Sequence, residues 1–399
     1  MRCLLIRVEQ FRNIDHAEVE FVPGINLFYG DNAQGKTNLL EAVFYGTIGK
    51  SFRDNHDKNL IRFGNEIFSI HLEYASDQEG ARTQTVDFRV MDRRKQILHN
   101  GVYVRKLSDF VGDFRTVLFC PSHLALIKDG PSERRDFLDV AISQLYPNYL
   151  KALQKYNKIL QQRNKLIRDA KENRDDRRKT LDETLDIWSD QLAAESAIIS
   201  FHRWVYIQKI DRYVRDVFNV MMDGNEKTTV TYSPSCGQKV LEQIVSETGI
   251  PDEADQAGFM AARGVFQQRI ESVYKRQFRE NKEREIAAGT TLYGAQKDDM
   301  VVFLNGREAR LFASQGQQRS LALAIKIGEG EISKQVTGEY PIFLFDDVLS
   351  ELDHNRKDYL LKHIEGKQVI MTSCEPDAVK NRDIRIWQVS QGTYRKKDS

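Results

Sequence analysis

Several things are scarce in this chain of 399 residues, and each scarcity excludes a class of protein. Surplus charge is missing: 59 Lys+Arg stand against 58 Asp+Glu, which leaves +1. The generally basic nucleic-acid binder is thereby excluded, although a local basic patch is not. Cysteine is sparse. Cys3, Cys120, Cys236 and Cys374 lie far apart with no C-x-x-C pair, so neither a disulfide framework nor a thiolate zinc site is expected. A reducing, cytoplasmic setting follows as the expectation. No apolar run approaches the ~18 residues needed to span a bilayer. Arg2, Arg7 and Glu9 break up the opening segment, so no signal-peptide core is expected, and with no spanning run either the chain is expected to have no membrane association. Internal repeats and low-complexity tracts are also lacking. What remains, 41% apolar and 29% charged, is globular composition at a length of roughly two to three domains.

The first ~50 residues read as strand, turn, strand, glycine-rich loop and helix. Leu4, Ile6 and Val8 alternate with polar neighbours, as do Ala17, Val19 and Phe21; Ile25 to Tyr29 is a short apolar run that stops at Gly30. Leu39, Leu40, Val43 and Phe44 then recur at helical spacing. Strand-like pieces dominate from Ile67 to Val104, broken by turn signals at Asp77–Gly80 and His99–Gly101. After Pro131 the period becomes helical. One stripe runs Leu145, Tyr149, Leu153, Tyr156 and Leu160, a second runs from Leu185 through Trp188 to Val217, and a third contains Val265, Phe266, Ile270, Val273 and Phe278. Alternation returns at Met300 to Leu304, and Pro341 to Phe345 is another apolar strand. The expected domains are therefore 1–130, 131–290 (mainly helical) and 291–399.

Gly30-Asp31-Asn32-Ala33-Gln34-Gly35-Lys36-Thr37 matches the phosphate-binding pattern G-x-x-x-x-G-K-[ST]. Its glycines let successive backbone N–H groups face one centre at a helix N-terminus. Lys36 is placed to reach the β- and γ-phosphates of a nucleotide, and the Thr37 hydroxyl to join a Mg²⁺ shell. An acid is then needed, and Ile342-Phe343-Leu344-Phe345-Asp346-Asp347 supplies one at the end of a buried strand. Asp346 is expected on the metal and Asp347 on the attacking water. Read without the loop, the aspartates would be a cap and a turn. Ser314-Gln315-Gly316-Gln317 opens a further helical stretch and is either a second phosphate contact or a plain helix cap.

In this order the motifs resemble the ABC-type ATPases of DNA repair and chromosome organisation, the Rad50 and SMC group, and within it the RecF family. The residues that carry the resemblance span nearly the whole chain. They are Phe11-Arg12-Asn13, the P-loop with Thr37-Asn38-Leu39-Leu40-Glu41-Ala42, Lys50-Ser51-Phe52-Arg53, the segment Asp129 to Asp139, Ser314 to Arg319, and Asp346-Asp347 with Ser350-Glu351-Leu352-Asp353. Gly294-Ala295-Gln296-Lys297-Asp298-Asp299 departs from the family's G-P-H-R-D-D, so roles of that histidine and arginine do not carry over. Phe119 to Leu124 also lacks the acid common after its proline.

The resemblance implies an α/β fold, an ABC-type P-loop ATPase head with mixed sheets and an inserted helical lobe too short for a long coiled-coil arm. It implies ATP and Mg²⁺ as cofactors. The nucleotide would be bound by Gly30 to Asn38 of one subunit and by Ser314, Gly316 and Gln317 of another. Arg53 and Asp353 would couple the site to DNA or to the second subunit, a solvated arginine being the plain alternative at 53. The implied function is recombinational DNA repair and replication-fork maintenance. An ATP-dependent homodimer would hold duplex or gapped DNA, be released by slow hydrolysis, and load RecA with RecO and RecR. An ABC-type ATPase subunit coupled to another macromolecular partner, a transporter included, is the alternative. A metabolic P-loop kinase would need an acceptor pocket and a lid. Residues 151–180 hold eleven Lys/Arg against four acids, and 181–195 hold five acids and no base. That run is either a solvated helix face or a patch that tracks phosphates.

Overall fold

The computed structural model describes residues 1–77, 80, 82–92, 94–172, 178–222, 224–251, 255–375, 379 and 384–397, with the side chains of 178–182 outside the description. Two compact units emerge: Met1–Lys128 with Arg212–Thr228 and Leu304–Ser399, and Asp129–Asp211 with Thr229–Phe303.

The first unit is built on two sheets. An antiparallel sheet orders the strands Ile14–Glu20, Arg2–Phe11, Ile67–Ala75, Thr83–Met91, Arg94–His99 and Val102–Tyr103. Its strands alternate buried residues with half-buried or exposed ones, which is why their period of two was readable. The other sheet runs Thr393–Lys396, Ile384–Ser390, Ile25–Tyr29, Val369–Ser373, Ile342–Phe345 and Thr116–Phe119. All neighbours there are parallel except the terminal hairpin. Its strands at 342–345 and 369–373 are buried throughout, the mark of a sheet covered on both faces. Helix Lys36–Ile48 packs against strands of both sheets and is buried from Leu39 to Thr47. Gly46 permits the approach, since a Cβ there would fall 2.0 Å from Leu72 Cδ1. Helix Gln315–Thr337 lies against the strand Thr116–Phe119.

The second unit is mainly helical: Pro131–Ser143, Pro147–Glu172, most of Arg178–Met221, Gln238–Thr248, Gln256–Glu280 and Lys282–Ala288. Strands Thr228–Ser233 and Asp299–Leu304 lie side by side. The expected apolar stripes are largely core, with adjustments on two helices. On helix Pro147–Glu172 the buried line is Tyr149, Ala152, Tyr156, Ile159, Arg163, Ile167 and Ala170, while Leu153 and Leu160 are only half-buried. Val265, assigned to the third stripe, is exposed.

Arg163 belongs to the basic run by type, yet it is fully buried. It pairs with Glu285 at 2.5 Å, donates to Thr291 Oγ1 at 2.7 Å and to Ser189 Oγ at 3.0 Å, and lies over the Phe278 ring. A buried guanidinium is tolerable only with such partners. The segment Gly294–Asp299 is tied down similarly. Arg134 grips Asp299 with two bonds of 2.7 and 2.8 Å, Arg135 donates to Asp298 O at 3.0 Å, and Arg203 donates to Ala295 O at 2.6 Å. Burial raises the Asp298 carboxyl, against the pull of Arg203 and the hydroxyl of Tyr232. The arginine pair of the Asp129–Asp139 segment thus anchors the sequence that departs from the family pattern. Among the described residues, no helix is long and apolar enough to cross a membrane.

Candidate nucleotide-binding site

The parallel sheet sets the site by register. Ile25–Tyr29 pairs with Val369–Ser373 so that Tyr29 faces Ser373, and Phe345 pairs with Met371. Gly30, Asp346 and Thr372 therefore meet at one sheet edge, beyond the strands' carboxyl ends, where ligands bind in such sheets.

The loop from Gly30 to Thr37 is held by its carbonyls. Gln34 O accepts from Gly392 N at 2.8 Å and from Asn13 Nδ2 at 3.2 Å, and Gly35 O accepts from the Tyr394 hydroxyl at 2.8 Å. Meanwhile no backbone N–H of residues 31–37 donates to a partner among the described residues. Unpaired N–H groups at a helix start make an anion nest. Ala33 and Gly35 take left-handed backbone, φ 65° and 113°. At Gly35 any Cβ would also lie 2.8 Å from Asn13 Oδ1, so glycine is required twice over. Lys36 is buried and its Nζ donates to Gly30 O, to Asp31 O at 3.0 Å and to Cys374 Sγ at 3.6 Å. Asn32 faces the same thiol, which donates to its Oδ1 at 3.1 Å.

Thr37 Oγ1 donates to Asp346 Oδ1 at 2.8 Å, joining residues 309 positions apart. Asp346 Oδ1 also accepts from Thr372 Oγ1 at 2.9 Å, and that hydroxyl accepts from Asp347 N at 2.9 Å. Asp347 sits at φ 51°, a turn that aspartate tolerates. Burial raises its carboxyl above the usual carboxylate range, and the neighbouring Asp346 and Glu351 add to this, while Ser350 and Lys36 pull the other way. The donor set fits a nucleotide with a hard divalent cation: one hydroxyl and one carboxylate, with the rest of the shell left for phosphate oxygens and water. Among the described residues, no group of three or more His, Cys, Asp or Glu forms an all-protein metal cage.

Arg53 joins this cluster through Asn38. Its Nη1 donates to Asn38 Oδ1 at 2.9 Å and lies 3.5 Å from Glu41. Glu41 is fully buried and accepts Arg12 at 2.7 and 3.0 Å and Ser51 Oγ at 2.5 Å. Ser314 and Gln317 bond elsewhere. They form a capping box on helix Gln315–Thr337, and Gln317 Nε2 donates to Glu226 Oε1 at 2.5 Å. Asp353 caps helix His354–His363 and pairs with Arg356, whose Nε donates to Ser320 Oγ at 2.7 Å. Ser314 thus serves as a helix cap within this chain, and Asp353 caps a helix as well. Sequence reasoning left Thr372 and Cys374 out and gave Asn13 no role.

The family model of the RecF/RecN/SMC N-terminal domain matches residues 4–395. DNA replication and repair protein RecF of Halalkalibacterium halodurans is 35% identical over 98% of each chain. The chain belongs to the RecF family. The RecF of Lactobacillus acidophilus is also 35% identical, over 97% of each chain. Among solved structures, that of the recombination mediator protein RecF-ATPrS in the RecFOR pathway aligns with a TM-score of 0.85 at 32% identity, covering 100% of this chain and 98% of that one. The corresponding RecF-ATP structure gives 0.83 at 32% identity over 99% and 97%. An Smc head bound to the C-winged helix domain of ScpA, 13% identical with a TM-score of 0.53, shares the fold. The expected class, an ABC-type ATPase head with mixed sheets and an inserted helical lobe, is that of the RecF family.

Proposed function

We propose that the chain is an ATP-dependent DNA-binding ATPase of recombinational repair and replication-fork maintenance. The Thr37 hydroxyl against the Asp346 carboxylate carries the reading, because that pair is the place for a nucleotide-bound Mg²⁺. Solved RecF-ATP and RecF-ATPrS relatives support ATP as the ligand. The nest of residues 30–38 receives the phosphates, and Lys36 exchanges the carbonyls of Gly30 and Asp31 for β- and γ-oxygens. Mg²⁺ held by Thr37 and Asp346 would supply neutralisation of the developing phosphate charge. Asp347 orients the attacking water and accepts its proton, a task suited to a carboxyl raised by burial.

Ser314, Gly316 and Gln317 of a second copy close over the γ-phosphate, so ATP holds the dimer on duplex or gapped DNA. Slow hydrolysis removes that bridge. RecO and RecR are the partners that the RecFOR pathway of the relatives suggests, with RecA loading as the outcome. Light scattering and duplex binding with ATP test this. Wild type should dimerise and bind DNA, Lys36→Ala should lose nucleotide, Ser314→Arg should bind ATP as a monomer, and Asp347→Asn should stay trapped as an ATP-bound dimer. A wild type that stays monomeric with ATP, or a Ser314→Arg dimer of equal strength, would sink the sandwich.

A further inference from the structure

We propose that one face of helix Pro147–Glu172 is the duplex-phosphate contact of the helical unit. This inference rests on the DNA-binding reading above and adds the surface to it. Burial sorts the basic run into two kinds of residue. Arg163 points inward to Glu285, whereas Lys151, Lys155, Lys158, Lys165 and Arg168 are exposed. Arg174 and Arg177, and the side chains of Arg178 and Lys179, lie outside the described residues.

Lys151, Lys155, Lys158 and Lys165 share one side of the helix, since steps of four, three and seven residues return to the same face, and Arg168 borders it three residues past Lys165. Their span is about 21 Å at 1.5 Å per residue. A solvated face of ordinary composition would neutralise itself with acids three or four residues away. This one does so hardly at all: Pro147 to Arg168 contains no Asp or Glu, and the helix's two acids, Asp169 and Glu172, stand four residues past Lys165 and Arg168 without forming an ion pair to either among the described residues. Only Lys155 finds a carboxylate, Glu195 at 2.5 Å; Lys151, Lys158, Lys165 and Arg168 have no ion pair among the described residues. Like charges fixed along a rigid rod repel one another, and a polyanion of regular phosphate spacing relieves that repulsion while releasing its own counterions.

The chemistry also chooses between nucleic acids. The helix's tyrosines, Tyr149 and Tyr156, are buried. The helix has no further aromatic residue, so it offers no ring to stack with an unpaired base, and its fit is to a backbone, hence to duplex.

The test compares wild type with K151Q/K158Q/K165Q/R168Q in the full chain with ATP, titrating a fluorescent duplex over a salt series. A control, K275Q/R279Q, removes two bases of the same unit that are paired with Glu271 and Asp190. The fourfold variant should bind at least tenfold more weakly at 100 mM salt. Its log K against log salt slope should be shallower by about 0.9 for each phosphate no longer neutralised, about 3.6 for four. Its ATP binding and circular dichroism should be unchanged, and the control should keep the wild-type slope. A fourfold variant with the wild-type slope would overturn the proposal while leaving the DNA-binding reading intact. Equal weakening in the control would overturn it too, by reducing it to overall charge. Failure of wild type itself to bind duplex in any nucleotide state would remove both, and tighter binding of single strands than of duplex would remove the duplex assignment.

Discussion

At the scale of single residues, the loop proposed for the nucleotide is shaped by side chains that lie outside it. Asn13 bridges Gln34 O and the Asn38 side chain, the latter at 2.7 Å. It also fills the space that a Cβ at position 35 would need. Each neutral hydrogen bond of this kind is worth about 1 kcal/mol, or roughly a fivefold change in binding. Asn13→Ala should therefore weaken ATP binding about fivefold or somewhat more, with the fold intact. Because the Asn13–Asn38 bond is shared, the double variant with Asn38→Ala should lose less than the two single losses combined. Titration of a fluorescent ATP analogue reads both; strict additivity would show that Asn13 does not act through Asn38.

At the scale of elements, glycines decide how closely helices lie on the sheets. Gly330, on helix Gln315–Thr337, faces Phe343 of the strand that ends in Asp346, and a Cβ there would fall 2.5 Å from the ring. Gly330→Ala should cost about 1–3 kcal/mol by overpacking. Shrinking the ring with Phe343→Leu should recover part of that loss in a urea titration; no recovery would place the strain elsewhere.

The elements themselves were largely legible. The loop with its flanking strand and helix, the apolar strand before Asp346, and the three helical stripes each carry a period that needs no tertiary knowledge. Strand order was not legible, because the neighbours of Ile25–Tyr29 come from Val369–Ser373 and Ile384–Ser390, and pairing across such separation leaves no local trace. Thr372 and Asn13 were hidden for the same reason, since register alone brings them to the loop. Arg163 misled by type: a charge count assumes exposure, while the 3.6-residue period had already placed that position on the buried line of its helix.

For the molecule as a whole, charge balance conceals strong local pairing. Burial alone would raise the Glu331 carboxyl, but His363, Lys367 and Tyr340 bring it down to about 2. Lys367 Nζ lies 3.1 Å away and His363 Nε2 2.9 Å away. A folded value below the unfolded one stabilises the fold at neutral pH, and that contribution drains away as pH falls from about 4.5 towards 2. Partial exposure to solvent discounts it to about 1 kcal/mol. Denaturant titrations at several pH values should show a shallower acid loss in Glu331→Gln than in wild type. Parallel curves would assign the acid sensitivity to other groups.

The pairing of Ile25–Tyr29 with strands from the far end of the chain also bears on synthesis. At about 5–20 residues per second, a ribosome completes the P-loop and its preceding strand roughly half a minute before it makes their partners. Until then the loop has no Asp346, no Thr372 and no terminal hairpin to hold its carbonyls. A product cut short before residue 346 therefore carries the loop without the Asp346 carboxylate to which Thr37 donates. The scaffold around residues 30–37 is complete only when both ends of the sheet have been made.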